Sequence, residues 1–316
     1  MEKKKLNKKT KIYVAGHNGM VGSACVRLFQ SNGYPNIVKR SRENLDLTNQ
    51  KAVNDFFEEE KPQVVIFAAA KVGGIQSNID HPGDYLYQNL MIQNNVIEAS
   101  RVHGVSQFVN IGSSCIYPRE CIQPMKEEYL LTGALEPTNE AYAIAKIAGL
   151  KLTSYYKQQY NFKAINLMPC NLYGPNDSFD LRHSHVLSAL IKRFSDAKST
   201  KEGAITLWGT GSARREFLHV DDLARAILYF LNHPFNDDFI NIGWGVDISI
   251  KELAEKIKAR TGYQGNIKWD QSKPDGMPRK CLDTSKMINY GFEPATSLDQ
   301  GITEMVNLYQ EQSQNN

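Results

Sequence analysis

The chain has 316 residues, of which 41% are hydrophobic and 22% are charged, and its formal net charge is +3. This is the composition of an average soluble globular protein, long enough for one large domain or two of ordinary size. Five lysines fall within the first ten residues. They predict a basic, flexible leader over residues 1–10 rather than a tether for nucleic acid or membranes.

The sequence shows no sign of a membrane span or of a metal site. No apolar run approaches the ~18 residues that a transmembrane helix requires, and no apolar segment follows the N-terminal lysines as in a signal peptide. The five cysteines are odd in number and lack metal-type spacing. We therefore expect free thiols in a reducing cytoplasm, with neither nucleic acid nor a membrane as partner.

The first half of the chain alternates strand and helix patterns. Buried strands are predicted at 11–15, 36–40, 63–68, 107–111 and 163–168. Helices are predicted up to about residue 30, at 84–102 and at 140–160. Strands that are separated by helix-length crossovers predict an α/β fold, with a parallel sheet covered by helices on both faces.

After about residue 170 the chain changes to longer loops rich in Gly, Pro and Asn. A helix at 221–232 and a strand at 239–243 fit the first sheet, and amphipathic helices are predicted at 251–261 and 297–310. We therefore predict a Rossmann-type, doubly wound domain and a smaller, mostly C-terminal α/β domain that binds the substrate. The first comprises residues 11–170 and about 216–245, and the second about 171–215 and 246–316.

A glycine-rich segment joins the first strand to the first helix. The sequence GHNGMVG places Gly16, Gly19 and Gly22 at this junction. Glycine there allows a tight turn, a close approach of the backbone to a pyrophosphate, and helix N–H groups that face the anion. The placement favours dinucleotide binding over an ordinary glycine-rich turn, and the GxxGxxG spacing points to short-chain dehydrogenases.

The residues after the second strand indicate which dinucleotide binds. An acidic residue at this position accepts a hydrogen bond from the ribose of NAD, whereas arginine suits the 2′-phosphate of NADP. The segment here is Lys39-Arg40-Ser41-Arg42. We predict NADPH as cofactor, with Arg40 and Arg42 on the phosphate; a solvated basic loop is the alternative.

A tyrosine and a lysine stand four residues apart on the helix predicted at 140–160. Tyr142 and Lys146, in the segment YAIAK, therefore share one helix face. The ammonium is expected to lower the pKa of the phenol, which could then exchange a proton while a hydride moves to or from carbon. Ser113 or Ser114, at the end of the preceding strand, completes a Ser–Tyr–Lys redox site.

Several motifs together resemble the extended short-chain dehydrogenase/reductases. They are GHNGMVG (16–22), AAAKVGG (68–74), GSSCIYP (112–118), EAYAIAKIAG (140–149) and MPCNLYGPND (168–177). The resemblance covers nearly the whole chain from residue 11. Within the family it is closest to the enzymes that epimerise C3 and C5 of GDP-4-keto-6-deoxy-D-mannose and then reduce its C4 ketone.

The resemblance implies a homodimer that uses NADPH/NADP+ and catalyses reduction with Ser113, Tyr142 and Lys146. It also implies that Cys115 and His185 exchange protons with the sugar. A ketone at C4 acidifies the protons on C3 and C5, and a thiol and an imidazole titrate close enough to neutrality to move them. Without this context, a packed thiol is the commoner role of a cysteine after a strand, and His183 is the alternative to His185.

The resemblance also implies the binding residues. Cofactor contacts are expected at Gly16, Asn18, Gly19, Met20, Val21, Gly22, Arg40, Arg42, Asp46, Leu47, Ala69, Ile111, Gly112, Ser113, Ser114, Lys146, Pro169, Asn171, Leu172 and His185. Substrate contacts are expected at Arg193, Trp208, Arg215, Asp275 and Lys280. The three cations among them suit a diphosphate. Three positions depart from the family pattern: Asn18 replaces an arginine, Ala141 replaces a proline, and Cys170 replaces a threonine. Cys170 is expected to border the nicotinamide.

Two other functions account for part of the sequence. A 4-epimerase that keeps NAD bound would not need Cys115 and His185 for proton transfer, and arginines after the second strand disfavour NAD. A redox-sensing protein that binds the cofactor without catalysis would be expected to lack Tyr142 or Lys146. The sequence therefore favours the combined epimerase and reductase.

Overall fold

The computed structural model describes residues 6–180, 184–273 and 275–314. The strands are β1 Ile12–Ala15, β2 Ile37–Val38, β3 Val64–Phe67, β4 Gln107–Ile111, β5 Ala164–Pro169, β6 Asn171–Tyr173, β7 Ala204–Trp208, β8 Arg214–His219, β9 Ile240–Ile242, β10 Asp247–Ser249, β11 Asn266–Asp270 and β12 Arg279–Lys280. The helices are α1 Met20–Ser31, α2 Gln50–Glu60, α3 Ile75–Asp80, α4 Pro82–Val102, α5 Glu140–Tyr160, α6 Val186–Ser199, α7 Val220–Asn232, α8 Ile250–Thr261, α9 Ser285–Asn289 and α10 Leu298–Gln314.

Six strands form a central, all-parallel sheet in the order β2-β1-β3-β4-β5-β9. The predicted Rossmann-type sheet is therefore confirmed, including β9 as its last strand. From β1, the chain first adds β2 on one side and then adds β3 and the later strands on the other side. At such a switch point an open α/β sheet leaves a crevice at the carboxyl ends of its strands. This topology determines where a ligand can enter.

Alternate residues of the central strands pack into two different cores. Val64 and Ile66 of β3 join the core that lies under α1 and α7, whereas Val65 and Phe67 join the core under α2 and α4. All four side chains are at most 2% exposed. Because both faces of the sheet are covered, its strands are apolar throughout rather than alternating.

Helix α2 was not predicted from the sequence, although its boundaries are clear in the structure. The Asn49 side chain caps its first turn by accepting a hydrogen bond from the Ala52 N–H at 3.1 Å. Its buried residues, Val53, Phe56 and Phe57, are spaced one turn apart among charged residues. The low overall hydrophobicity of this segment hid the periodic apolar face.

The C-terminal part of the chain builds a second, smaller core. Strand β8 pairs with β10, β12 and β6, while β7 pairs with β11. Side chains from α6, α8 and α10, such as Phe194, Leu253 and Met305, fill the space against these strands. The predicted division into two domains remains our proposal; β8 crosses its boundary at residue 216.

The part of the predicted leader that the structure describes lies against the first domain. The Leu6 N–H donates a hydrogen bond to the Asn232 side chain at 2.7 Å. The Lys8 ammonium lies 3.9 Å from the centroid of the Tyr34 ring. Residues 1–5 lie outside the described residues.

None of the helices in the described part of the chain combines the length and the apolar character that a membrane span requires.

Candidate active site

A cleft of about 810 Å³ opens at the carboxyl ends of β1, β3, β4 and β5. Most residues predicted to bind cofactor line it: Gly16, Asn18, Gly19, Met20, Val21, Arg40, Arg42, Asp46, Leu47, Ala69, Ile111, Gly112, Ser113, Ser114, Lys146, Pro169, Asn171, Leu172 and His185. Tyr142, Cys170 and Lys280 also line the cleft. Gly22, Cys115, Arg193, Trp208, Arg215 and Asp275 are not among the lining residues.

The glycine-rich turn is built by close backbone contacts. Gly16 has a φ of +82°, and a Cβ atom there would lie 2.8 Å from the backbone nitrogen of Ala69. Gly22 is buried, and a Cβ on it would lie 2.1 Å from the carbonyl oxygen of Gly16. Gly22 therefore lets α1 approach the turn instead of contacting the ligand itself.

The start of α1 suits a phosphate. Gly19 is its N-cap and provides no side-chain hydrogen bond, and the first turn carries no acidic residue. The free N–H groups and the positive end of the helix dipole favour an anion at this position. The cradle therefore fits the pyrophosphate of a dinucleotide.

The two arginines after β2 have different surroundings. Arg40 forms an ion pair with Glu60 of α2 and lies over the ring of Phe56 at 5.4 Å. Arg42 is exposed and makes no hydrogen bond or ion pair within residues 6–180, 184–273 and 275–314. Both line the cleft. Arg42 is thus the guanidinium that is available to a 2′-phosphate without breaking an existing pair.

Asp46, predicted to contact the cofactor, is occupied by a local turn. Its carboxylate accepts hydrogen bonds from the Thr48 N–H at 2.9 Å and from the Thr48 hydroxyl at 2.8 Å. These two bonds hold the pKa of Asp46 below its ordinary value. The carboxylate therefore shapes the cleft edge while it remains ionised.

The predicted reductase residues meet at the middle of the cleft. The Lys146 ammonium donates a hydrogen bond to the Ile111 carbonyl at 2.9 Å and lies 5.7 Å from the centroid of the Tyr142 ring. Ser113, two residues beyond Ile111, accepts a hydrogen bond from the Cys115 N–H at 3.3 Å. Helix α5 and the end of β4 thus bring the phenol, hydroxyl and ammonium into one wall.

The predicted direction of the Tyr142 pKa shift is wrong. Burial raises the pKa of Tyr142 above its ordinary value, and the nearby Cys115 and Tyr85 raise it further. Burial also lowers the pKa of Lys146, to about 8. Burial decides the direction of both shifts, because both groups are removed from water. The phenol therefore stays protonated at neutral pH.

Cys115 is a buried thiol, 6% exposed, immediately after Ser114. Burial raises its pKa, while the positive charges of Lys280 and Lys146 act in the opposite direction. Two cations close to a thiol stabilise its thiolate form. The site therefore combines a protonated resting thiol with groups that would support its ionisation.

His185 stands at the other side of the cleft, as the residue before α6. Its Nδ1 lies 3.5 Å from a carboxylate oxygen of Asp177, whose second oxygen accepts a hydrogen bond from the Ser188 hydroxyl at 2.5 Å. The hydrogen bond to Asp177 raises the pKa of His185. The alternative, His183, lies outside the described residues.

Two of the predicted substrate-binding cations are neighbours on paired strands. Lys280 of β12 is the register partner of Arg215 of β8. The Arg215 guanidinium donates to the carbonyl oxygens of Arg214 at 2.8 Å and of Met277 at 2.6 Å. Burial lowers the pKa of Lys280. Two partly buried cations side by side attract an anionic group.

The other three predicted substrate residues lie further from the cleft, in the second domain. Arg193 donates a hydrogen bond to the Thr206 carbonyl. Trp208 is 68% exposed at the end of β7. Asp275 accepts hydrogen bonds from the Thr210 N–H and hydroxyl, both at 2.7 Å. They do not meet the reductase residues directly, so a ligand that contacts both groups must be long.

Sequence reasoning missed several residues of the site. The unpredicted lining residues are His17, Ser41, Leu45, Thr48, Ala68, Ala70, Lys71, Val72, Gln88 and Ile92. Lys71 is held by Asn89, which exchanges hydrogen bonds of 2.8 and 3.0 Å with its backbone. The AAAKVGG motif could have indicated Lys71. Asp177 is the last residue of the MPCNLYGPND motif, but its role was not predicted, because its partner His185 lies eight residues away.

A family model described as the NAD dependent epimerase/dehydratase family matches residues 12–243. The chain belongs to this family. The resemblance predicted from the motifs is therefore confirmed. Among the described residues, no group of His, Cys, Asp and Glu side chains could hold a metal ion.

Relatives within the epimerase/dehydratase family cover nearly the whole chain. A protein named putative GDP-L-fucose synthase 2 of Arabidopsis thaliana is 50% identical over 97% of this chain and 93% of its own length. A GDP-6-OMe-4-keto-L-xylo-heptose reductase from C. jejuni is 36% identical with a TM-score of 0.92, covering 98% of this chain and 99% of its own. An NADP-bound GDP-L-fucose synthetase from Naegleria fowleri is 26% identical with a TM-score of 0.89, covering 98% and 97%.

The contact between Gly22 and Gly16 gives a testable prediction for this family fold. Gly22→Ala should weaken NADPH binding because the added Cβ displaces the turn that holds the pyrophosphate. An overpacking cost of ~1–3 kcal/mol corresponds to roughly 5- to 150-fold in Kd. Fluorescence titration measures it, with Gly83→Ala as control, because a Cβ at Gly83 meets nothing within 4 Å. Equal affinity of the two variants would contradict the prediction.

Proposed function

We propose that the protein is a GDP-L-fucose synthase, which converts GDP-4-keto-6-deoxy-D-mannose to GDP-L-fucose with NADPH. The reaction comprises epimerisation at C3 and C5 followed by reduction of the C4 ketone. The observation that carries the proposal is the combination of Ser113, Tyr142, Lys146 and a carboxylate-held imidazole around one cleft. The Cys115 thiol lies directly behind Ser113 and Ser114 of the cleft wall and is under the influence of two cations. The identity of 50% to a synthase over nearly the full chain supports it.

Reduction of the ketone requires a proton donor at the C4 oxygen. When bound, NADPH supplies the hydride for C4. Tyr142 holds its proton because burial raises its pKa, so it can protonate the developing alkoxide. The Ser113 hydroxyl donates a hydrogen bond to the same oxygen, and the Lys146 ammonium adds positive charge beneath it.

Epimerisation requires one group to remove a proton and another to deliver one to the opposite face. Asp177 stabilises the protonated form of His185, which suits His185 for proton delivery. Burial raises the pKa of Cys115, but the charges of Lys280 and Lys146 favour its thiolate. We assign proton removal to Cys115. The enolate formed in between accepts hydrogen bonds from Tyr142.

The diphosphate of the substrate is assigned to the pair of cations on β8 and β12. Arg215 offers a planar set of donors that matches phosphate oxygens, and Lys280 adds a point charge beside it. Lys280 lines the cleft, whereas Arg215 lies next to it. With the diphosphate there, we assign the sugar to the side of Cys115 and the base to the side of Trp208, Arg193 and Asp275.

A reductase that does not epimerise is the second candidate. The similarity to the C. jejuni heptose reductase covers 98% of the present chain. Such an enzyme needs the tyrosine, serine and lysine but no group that exchanges protons at C3 and C5. The environments of Cys115 and His185 favour the combined enzyme, because each carries a charged partner suited to proton transfer.

Two substitutions distinguish these candidates. Cys115→Ser and His185→Gln should each lower GDP-L-fucose formation by roughly 100-fold or more, since general acid–base groups contribute about 10²- to 10⁴-fold. Cys115→Ser should keep the affinity for NADPH, because Cys115 does not line the cleft. The measurement is incubation with GDP-4-keto-6-deoxy-D-mannose and NADPH in D2O, with deuterium read at C3 and C5.

The wild-type enzyme provides the reference for this experiment. It should consume one NADPH per sugar and incorporate deuterium at both carbons. NADPH consumption without deuterium incorporation would leave only a ketoreductase. Unchanged turnover in both variants would refute the roles assigned to Cys115 and His185.

Arg42 should determine the preference for NADPH over NADH. Arg42→Ala removes a charged partner of the 2′-phosphate, worth about 1.5–3 kcal/mol or roughly 10- to 150-fold in kcat/KM for NADPH. The value for NADH should not change. Arg260→Ala, an exposed arginine at the end of α8, is the matched control. A wild-type preference for NADH would overturn the assignment.

We further propose that the protein is a homodimer that pairs through α4 and α5. Large apolar side chains are exposed on these adjacent helices: Tyr87 is 64%, Tyr155 60% and Ile144 42% exposed. Exposed apolar patches of this kind mark association surfaces. The cytoplasmic location expected from the free thiols also remains a prediction.

A charge on this face should break the dimer. Light scattering should give the wild type a mass of twice 35.7 kDa and should give Ile144→Glu the mass of one chain, because burying an unpaired carboxylate is costly. Ile122→Glu is the matched control, since Ile122 is 73% exposed but lies on neither helix. A monomeric wild type, or dissociation of both variants, would contradict the proposal.

A further inference from the structure

Glu216 is a fully buried carboxylate between the substrate-binding strand and two loops. It lies on β8 next to Arg215 and is 0% exposed. No step of the proposed reaction uses it. A buried ionisable group is retained only if its surroundings compensate for the loss of water, so its partners indicate its purpose.

The partners of Glu216 are backbone N–H groups from two separate segments. One oxygen accepts a hydrogen bond from Gly245 at 2.7 Å, and the other accepts one from Leu282 at 2.7 Å. The loop after β9 and the segment after β12 are thus joined through one side chain.

The loop after β9 is shaped to reach this carboxylate. A Cβ on Gly243 would lie 2.1 Å from the Glu216 oxygen, so only glycine allows the approach. Gly245 has a φ of +69°, a conformation that glycine adopts without strain. Both glycines fit the carboxylate rather than a shorter or apolar side chain.

Strand β12 carries Lys280, its last residue, into the cleft. Strand β12 has only two residues, so its pairing with β8 gives little support by itself. Its continuation is fixed by the Leu282 bond to Glu216 and by the Cys281 N–H, which donates to the Gln123 side chain at 2.9 Å. Lys280 lines the cleft together with Ser113 and Ser114, the two residues before Cys115, and its charge favours ionisation of the thiol.

We propose that Glu216 is a positioning residue whose carboxylate fixes the segment after β12 and so keeps the Lys280 ammonium beside the Cys115 thiol. The consequence for catalysis rests on the proposed function, since it assumes that Cys115 removes a proton. The charged and titratable groups that act on Cys115 are Lys280 and Lys146, and the Tyr142 phenol is coupled to it. Of these, Lys280 alone adjoins the segment that Glu216 fixes, because it is the last residue of β12 and lies two residues before Leu282.

An isosteric substitution should separate this role from simple packing. Glu216→Gln keeps the volume, but an amide has one acceptor oxygen and presents N–H donors where the backbone also donates. Lys280 should then move away from Cys115, and the pH midpoint of Cys115 alkylation by iodoacetamide should rise. Peptide mass spectrometry distinguishes Cys115 from the other four cysteines.

The kinetic expectation follows from the same displacement. In Glu216→Gln, kcat with GDP-4-keto-6-deoxy-D-mannose should fall by about 10- to 100-fold, as expected when a reacting group is misplaced. The Kd for NADPH should not change, because Glu216 does not line the cofactor cleft. Glu255→Gln, the same charge change at an exposed position of α8, should leave all three measurements unchanged.

A double-mutant cycle with Lys280→Met tests whether the effect passes through Lys280. Lys280→Met alone should raise the alkylation midpoint, and adding Glu216→Gln should raise it no further. An equal additional rise in that background, or an unchanged midpoint in folded Glu216→Gln, would overturn the proposal. Because alkylation needs no sugar substrate, this result is independent of whether the protein makes GDP-L-fucose.

A second variant keeps the test decisive if Glu216→Gln does not fold. Glu216→Asp retains the charge but is one methylene shorter, so it reaches the two loops less well. It should raise the midpoint in the same direction by a smaller amount. If Glu216→Asp folds with the wild-type midpoint and kcat, the proposal fails.

Discussion

The hydrogen bond from the Lys146 ammonium to the Ile111 carbonyl ties together the two halves of the reaction centre. Lys146 lies on α5 together with Tyr142, whereas Ile111 ends β4 just before Ser113 and Cys115. Because Lys146 is only 8% exposed, loss of this bond would leave a buried charge without a hydrogen-bond partner to compensate for the loss of water. The positions of phenol, hydroxyl and thiol therefore depend on one backbone carbonyl.

Features encoded by neighbouring residues could be predicted from the sequence. The strands of the central sheet, the glycine-rich turn and the shared helix face of Tyr142 and Lys146 each follow from local spacing. Helix α2 was missed because its apolar face is diluted by charges. The pairing of Arg40 with Glu60, twenty residues further on, depends on packing that local patterns do not contain.

The direction of the Tyr142 pKa shift shows a different limit of prediction from sequence. The YxxxK spacing places a cation near the phenol, but it gives no information on how much water either group loses. Burial penalises the ionised phenol and the ionised lysine alike, and here it is the largest cause of the pKa shift of each group. The outcome suits a reductase, because a protonated tyrosine is the form that can donate to an alkoxide.

The two groups to which we assign proton transfer, Cys115 and His185, have different surroundings. Cys115 is buried in the first domain beside cations that belong partly to β12, whereas His185 precedes α6 and its side chain is 53% exposed. A sugar between them would remove His185 from water and strengthen its interaction with Asp177. The bond to Asp177 outweighs the effect of burial and raises the pKa of His185, whereas the charge of Lys280 acts to lower the pKa of Cys115. The asymmetry that the proposed epimerisation needs then arises from fixed charges of opposite sign acting on the two groups.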